Sequence, residues 1–521
     1  MSSPSANRTA LYNVAVAFGL PLGVTLAYLL YKSYKDSSSD GEIENDSIHS
    51  HKAFKKTEKL PKTRSKKSFI IIEDADQNGS LDAIPNPASW STLGLEQPLQ
   101  IAMVGLPARG KSYITKTLIR YLQWNGFEAK EFNVGSRRRN IGLKGIDASF
   151  FDPRNRENNK IREEMAMAEQ EKLYSWLHGE SNDQHKKRVA IFDATNTTKD
   201  RRLHLLQRSR KENVFLLFIE SICDDETVLN QNYDMKLQND DYKGMDPKEA
   251  RRDFEKRVEQ YKHAYEEIED SEDSSNISYI KLINVGQKII ARNCNGYLPS
   301  QVAFYLQNIH ITPRKIYLSL NAENFDTVEN SNRGLESGRL TDAGRQYSLD
   351  LAKFIQIKIE NESSISKDLL VLAGTAKVHA ETTLHLRMLY SCYNTPLLNE
   401  LRAGDLHGLT HDEIRQSFPE EYKKRKNDKL NYRYPGVGGE SYIDVIERIR
   451  PIIIELERQR RTVVVVCNLA VLRCIYAYFT GLTLDEIPYK PFKQHVLYEL
   501  SPGPFGCNPK EYIVSEELIN M

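Results

Sequence analysis

The sequence predicts an α/β protein of two domains, each a mainly parallel sheet with helices on both faces. Three observations point there. The stretch "LQIAMVGLPARGKSYITKTLIRYL", starting at Leu99, reads as an apolar strand, a glycine-containing turn and an amphipathic helix in succession. A second apolar run, 189–192 in "RVAIFDATNTT", reads as a strand that Asp193 ends. Far down the chain, "YIDVIERIRPIIIELERQ" reads as an amphipathic helix and "TVVVVC" as a buried strand. At 521 residues the chain is too long for one core, so two domains plus appendages are expected.

Composition narrows the class. Hydrophobic residues at 40% and charged residues at 27% describe a soluble globular body, and a net charge of +1 gives no reason to expect a nucleic-acid partner. Cys223, Cys294, Cys392, Cys467, Cys474 and Cys507 show neither metal-type pairing nor disulfide spacing, which suits a reducing compartment. Residues 10–31, "ALYNVAVAFGLPLGVTLAYLLY", carry no charge and are long enough to cross a bilayer as a helix. Lys32 and Lys35 follow where a signal peptide would have its cleavage site. An N-terminal hydrophobic segment, 1–35, is therefore expected to be an uncleaved membrane anchor. An apolar helix packed on the body is the other reading. Arg8 and the amino terminus balance Lys32 and Lys35, which leaves orientation open. Residues 36–98, rich in Ser, Asp, Asn and Lys, are expected to be a disordered linker.

Order is expected from Leu99. Gly105, Gly110, Lys111 and Ser112 fit the pattern G-x-x-x-x-G-K-[ST], placed between strand and helix as that pattern requires. The glycines let the backbone curl so that its N–H groups face a phosphate, and the helix amino terminus adds partial positive charge. Lys111 would reach the β- and γ-phosphates of ATP, and the Ser112 hydroxyl would ligate Mg2+. Asp193 supplies the acid that such a site needs near the metal. Thr195, Asn196, Thr197 and Thr198 offer hydroxyl and amide groups to a polar substrate. An acceptor that already carries a phosphate calls for guanidinium forks. Arg137, Arg138 and Arg139 follow the first helix, and Arg162, Lys236 and Arg257 are dispersed through helical stretches. Taken singly, each also reads as a solvated surface charge. The charged stretch 246–269 is expected to be one surface helix, with Arg257 and Tyr261 on one face because they stand four apart.

The strings "GLPARGKSY", "FNVG" before Arg138 and Arg139, "FDATNTT", "FIESICDD", "KRVEQY" and "NIHITPRKIYL" occur in a telling order. From about Leu99 to the end the chain resembles the bifunctional 6-phosphofructo-2-kinase/fructose-2,6-bisphosphatase family. The resemblance implies a P-loop kinase domain over 99–310 and a histidine phosphatase-like domain over 311–521. It implies ATP contacts along Gly105, Leu106, Pro107, Ala108, Arg109, Gly110, Lys111, Ser112 and Tyr113. Lys111, Asp193 and Lys236 fall on catalytic positions, with Ser112 and Asp193 at the metal. Arg138, Arg162, Thr195, Arg257 and Tyr261 fall on contacts to fructose 6-phosphate, whose 2-hydroxyl would accept the γ-phosphoryl group. One departure is that Ser136 and Arg137 stand where the family usually has Glu-Tyr.

The second half departs further. Where the family ends a strand in Arg-His-Gly-Glu, "RKIYLSLNAENFDT" has Leu320, Asn321, Ala322 and Glu323. A later family His corresponds to Asn468, followed by Leu469 in place of Gln, and a middle Arg corresponds to His379. Glu400 matches the family's acid and Arg333 its remaining arginine. An amide nitrogen has no basic lone pair, so Asn321 cannot replace imidazole as a nucleophile. His379 and His407 read as packing or hydrogen-bonding residues.

The expected function is therefore a kinase that makes fructose 2,6-bisphosphate, joined to a domain that has lost the reverse step. Its expected partners are ATP and fructose 6-phosphate, its body is expected in the cytoplasm beside an intracellular membrane, and self-association as a homodimer stays open. The competing reading is a membrane-tethered pseudoenzyme that binds ATP or sugar phosphate and regulates a partner. A kinase for some other small molecule would explain the P-loop alone.

Overall fold

The computed structural model describes residues 97–179, 187–272, 277–325, 338–361, 368–503 and 506–520. The expected anchor at 10–31, nearly all of the expected linker, and Arg333 lie outside them. Among the described residues no helix is long and apolar enough to cross a membrane.

Two six-stranded sheets carry the structure. The first holds β1 (Leu99–Val104), β2 (Glu128–Asn133), β3 (Arg188–Asp193), β4 (Phe215–Ile222), β5 (Tyr279–Ile283) and β6 (Lys288–Arg292), in the order β2-β3-β1-β4-β5-β6. Only β6 runs antiparallel to its neighbour. The second holds β7 (Ile316–Leu320), β8 (Leu369–Ala373), β9 (Ser391–Asn394), β10 (Thr462–Cys467), β11 (Val496–Leu500) and β12 (Lys510–Ile513), ordered β12-β11-β7-β10-β8-β9. There β7, β10, β8 and β9 are parallel, while β11 and β12 close one edge antiparallel.

Period-two alternation explains why both faces of each sheet are covered. In β10, Val463, Val465 and Cys467 enter one apolar cluster and Val464 and Val466 another. In β1, Leu99, Ile101 and Met103 join the first of these, while Ala102 and Val104 face a third. That first cluster is shared by the two sheets through the helices Lys111–Trp124, Tyr297–Asn308 and Leu469–Thr480. The helix that opens at Lys111 therefore begins at the glycine turn and ends against the second sheet's helices. There the Trp124 indole N–H donates to the Cys474 carbonyl at 3.0 Å.

Two expected helices are shorter than the sequence pattern. The one expected over 246–269 is Pro247–His263. Beyond it the chain turns onto the sheet, because the buried Glu220 carboxylate accepts from the Tyr265 hydroxyl (2.7 Å) and the Ile268 N–H (3.1 Å). The stretch beginning at Tyr442 is two helices, Tyr442–Arg448 and Arg450–Arg458. Pro451 lacks an N–H and its ring would collide with the carbonyl four residues back, so one continuous helix is excluded.

Candidate active site

The turn after β1 is held from three sides. Gly105 has φ +132, and a Cβ there would lie 2.5 Å from the Ser221 carbonyl oxygen of β4, so no other residue fits. Its N–H donates to the Thr195 carbonyl at 2.9 Å. The Ser221 hydroxyl donates to the Arg109 carbonyl, and Asn196 Nδ2 donates to the Met103 carbonyl at 2.8 Å. Ala108 (φ +57) and Gly110 (φ +84) turn the chain left-handed just before the helix. Gly110 makes no side-chain cap, so the first helical N–H groups are left to meet an anion.

Lys111 is buried and its Nζ donates to the carbonyls of Gly105 (2.8 Å) and Leu106 (2.7 Å). Burial, opposed by Asp193 and reinforced by Lys236, Arg109 and Arg257, pushes its ammonium down to about 7. The Ser112 hydroxyl donates to Asp193 Oδ2 at 3.0 Å. Asn133 Nδ2 donates to the same oxygen at 2.8 Å and to Glu131 Oε1 at 2.9 Å, while its Oδ1 caps the helix Val134–Asn140 at Ser136. One amide thus orients the acid of β3 and starts the helix that carries Arg138. Burial holds the Glu131 carboxyl above the ordinary glutamate value, and Asp193 adds to this. A buried hydroxyl and carboxylate 3.0 Å apart suit a hard cation that takes its other ligands from phosphate oxygens and water.

These residues face a cavity of about 740 Å³ that the predicted substrate groups also line. Arg138, Arg162, Thr195, Lys236, Arg257 and Tyr261 all line it. Asp241 organises part of this lining. It pairs with Arg138 and lies 3.8 Å from Arg139 and 3.7 Å from Arg257. Burial pushes its carboxyl up, but those arginines prevail and hold it below the ordinary aspartate value. The Arg257 guanidinium lies 3.8 Å from the centre of the Phe151 ring, and that of Arg162 5.9 Å from the Tyr261 ring. Lys236, at the end of the helix Glu226–Leu237, is pushed down by burial and by Arg257 and Arg139, against the pull of Asp193.

Not every predicted residue lines the cavity. Pro107, Ala108, Gly110, Lys111, Ser112 and Tyr113 do, while Gly105, Leu106 and Arg109 lie behind it as backbone support. The Tyr113 hydroxyl donates instead to the His310 carbonyl at 2.9 Å. Arg137 points away to Glu169 at 3.4 Å. Sequence reasoning assigned no role to Asn133, Ser221, Phe151 or Asp241. The strings "FNVG" and "FIESICDD" contain the first two, but only folding reveals their contacts.

At the second sheet, Leu320 and Asn321 are buried at the carboxyl end of β7, and the Ala322 N–H donates to Thr382 Oγ1 at 3.0 Å. Glu323 accepts from the Thr341 hydroxyl at 2.7 Å. His379 is fully buried, its ring packed so tightly on Gly374 that a Cβ there would come within 2.4 Å. Burial pushes that imidazole down to about 4, with Asn468 beside it opposing weakly. Burial raises the Glu400 carboxyl, against the Leu401 N–H, Arg448, Asn468 and Arg473.

Residues 87–313 match the family model described as 6-phosphofructo-2-kinase, and residues 326–512 that of the histidine phosphatase superfamily, branch 1. A probable 6-phosphofructo-2-kinase of Schizosaccharomyces pombe is 38% identical, over 82% of this chain and 71% of its own length. 6-Phosphofructo-2-kinase 1 of Saccharomyces cerevisiae is 40% identical over 78% of this chain, which spans only 51% of that relative. 6-Phosphofructo-2-kinase/fructose-2,6-bisphosphatase 3 of Rattus norvegicus is 39% identical, over 83% of this chain and 75% of its own length.

Proposed function

Because this chain belongs to the 6-phosphofructo-2-kinase/fructose-2,6-bisphosphatase family, we propose that it phosphorylates fructose 6-phosphate at the 2-hydroxyl with ATP and lacks the reverse, hydrolytic activity. The kinase step is assigned to residues 99–310 and the inert domain to 311–521. The observation that carries the proposal is one cavity lined by Lys111, Ser112 and Asp193 together with Lys236, Arg138, Arg162, Arg257 and Tyr261. A nucleotide phosphate chain needs a backbone cradle, and a sugar phosphate a set of guanidinium forks.

Catalysis in such a site is positioning and charge compensation. The arginine wall fixes the 6-phosphate, which brings the 2-hydroxyl toward the γ-phosphorus. Lys111 leaves the carbonyls of Gly105 and Leu106 for phosphate oxygens, regaining a full charge as it does. Ser112 and Asp193 would hold Mg2+, which when bound offsets charge on the transferred group. Asp193, steadied by Asn133, is also the acid nearest the acceptor hydroxyl. We read residues 10–31 as the tether of this body to an intracellular membrane, which resistance to alkaline carbonate extraction would support.

Loss of hydrolysis is argued from chemistry. Neither Asn321 nor Asn468 can become a phosphohistidine. His379 has no exposed surface through which a phosphoryl group could reach it. Leu320 sets an apolar side chain where a dianion would sit.

The test uses the full chain with Lys111→Met as control. With MgATP and fructose 6-phosphate, fructose 2,6-bisphosphate should form in the parent alone, and product supplied without ATP should persist. Absence of formation with ATP binding retained would favour the regulatory pseudoenzyme. Disappearance of supplied product would overturn the inert-domain assignment.

A further inference from the structure

The carboxyl end of the second sheet gathers polar side chains that the kinase does not use. Asn321 follows β7 and Asn468 follows β10. These strands pair in parallel with Leu320 opposite Cys467, and the Asn321 N–H donates to the Cys467 carbonyl at 3.2 Å. His379 rises from the helix Lys377–Thr382 after β8, on the other side of β10, and its ring lies beside Asn468. Glu400 is also beside Asn468. On the far side of β7, His495 stands just before β11, stacked on Tyr347 with 4.8 Å between ring centres and near Glu323. The carboxyl edge of a parallel sheet, where its strands diverge, is where such folds hold ligands.

Several of these groups are buried without partners. Asn321 Oδ1, Asn468 Oδ1 and His495 Nε2 make no hydrogen bond, and Asn321 is 6% exposed. Unpaired buried polar atoms are costly, so a fold that keeps them together has a use for them. The two nearest arginines are committed. Arg448 holds the carbonyls of Leu397 and Asn399 and the Glu440 carboxylate, and Arg473 holds the Lys490 carbonyl and the Tyr442 hydroxyl.

We propose that this edge, around Asn321, Asn468 and Glu400, is a binding site for an uncharged polyhydroxy compound such as a free hexose. Unpaired amide oxygens need a partner that donates, which hydroxyl groups do. A phosphate dianion only accepts. Here it would meet the carboxyl groups of Glu400 and Glu323, while the Arg448 and Arg473 guanidinium groups are already engaged.

The experiment titrates the full chain with D-fructose, D-glucose and sorbitol by calorimetry, and with inorganic phosphate in parallel. At least one polyol should bind saturably in the millimolar range, and Asn468→Leu should weaken it by about tenfold or more, the worth of one buried hydrogen bond. Arg257→Ala should leave that binding unchanged, because the kinase cavity is elsewhere. If Asn468→Leu does not fold, Asn321→Val replaces it in the same titration. No saturable response to any of the three would mean that ordered water satisfies these atoms, and the proposal fails. It fails equally if Arg257→Ala abolishes the binding, or if phosphate binds here in a way that Asn468→Leu removes.

Discussion

Replacing Glu457 with alanine tests how the two sheets are joined. Glu457 is 3% exposed, on the helix Arg450–Arg458. Its carboxylate accepts from Arg120 at 2.8 Å, Arg314 at 2.6 Å and the Tyr478 hydroxyl at 2.6 Å. Arg120 belongs to the helix that begins at Lys111, so the contact ties the phosphate-binding helix to the second sheet. Truncation leaves two guanidinium groups without their anion, one 13% and the other 2% exposed at the side chain. Breaking a buried pair by removing one partner costs about 3–5 kcal/mol. Arg314 keeps its 3.1 Å bond to the Leu456 carbonyl and Arg120 its place over the Tyr478 ring, so the lower part of that range is expected. Glu457→Gln, which retains an acceptor, should lose about 1.5–3 kcal/mol. The triple change Arg120→Met, Arg314→Met and Glu457→Leu should recover most of the loss, because desolvation of the charges disappears with them. Urea unfolding followed by tryptophan fluorescence measures each. Burial alone would raise the Glu457 carboxyl, yet Arg120 and Arg314 hold it below the ordinary value of 4.5. Its contribution is therefore complete above that value and lost as pH falls through the depressed one, a loss the Gln variant should not show. A change below about 1 kcal/mol for Glu457→Ala would refute the reasoning.

Gly105→Ala should lower kcat/KM by at least about tenfold and stability by about 1–3 kcal/mol, since the added carbon meets the Ser221 carbonyl at an unfavourable φ; unchanged kinetics would count against the loop geometry. Lys111, held near 7, should take up a proton when ATP binds above that pH, so the binding enthalpy should vary with the ionisation enthalpy of the buffer; no such variation would remove Lys111 from the phosphates. Arg257→Ala should raise the KM for fructose 6-phosphate far more than that for ATP, and an equal rise would dissociate it from the sugar phosphate. The His379 ring, pushed down to about 4, should stay neutral from about pH 5 to 8 by NMR, and the stability it gives above its ordinary value of 6.5 should be lost as pH falls toward 4; a midpoint near 6.5 would contradict its burial.

The glycine turn and the acid of β3 were legible because their determinants are local. Gly105, Gly110, Lys111 and Ser112 lie within one turn and the start of one helix, and Asp193 closes an apolar run, so strand, cradle and acid can be read in order. The cations that line the cavity were legible as a set without an arrangement. Arg138 and its partner Asp241 are 103 residues apart, and nothing near either predicts the other. Separation in sequence also hid Asn133 as the clamp on Asp193, 60 residues away. It also hid the bond that turns the Tyr113 hydroxyl toward His310.

The sequence by itself determined the alternation that covers both sheet faces, the glycine turn before Lys111, and the absence of an imidazole at residues 321 and 468. These follow from side-chain identity and short-range periodicity, which folding does not alter. Only the tertiary structure decided that Asp241 gathers three arginines, that Pro451 divides a helix where the apolar pattern runs on, and that Glu457 carries charge across to the helix of Lys111. It also decided that Asn321 and Asn468 meet at one sheet edge with their amide oxygens unpaired. Each depends on groups brought together from distant segments, where burial removes water and leaves a charge or amide to the partners the fold supplies.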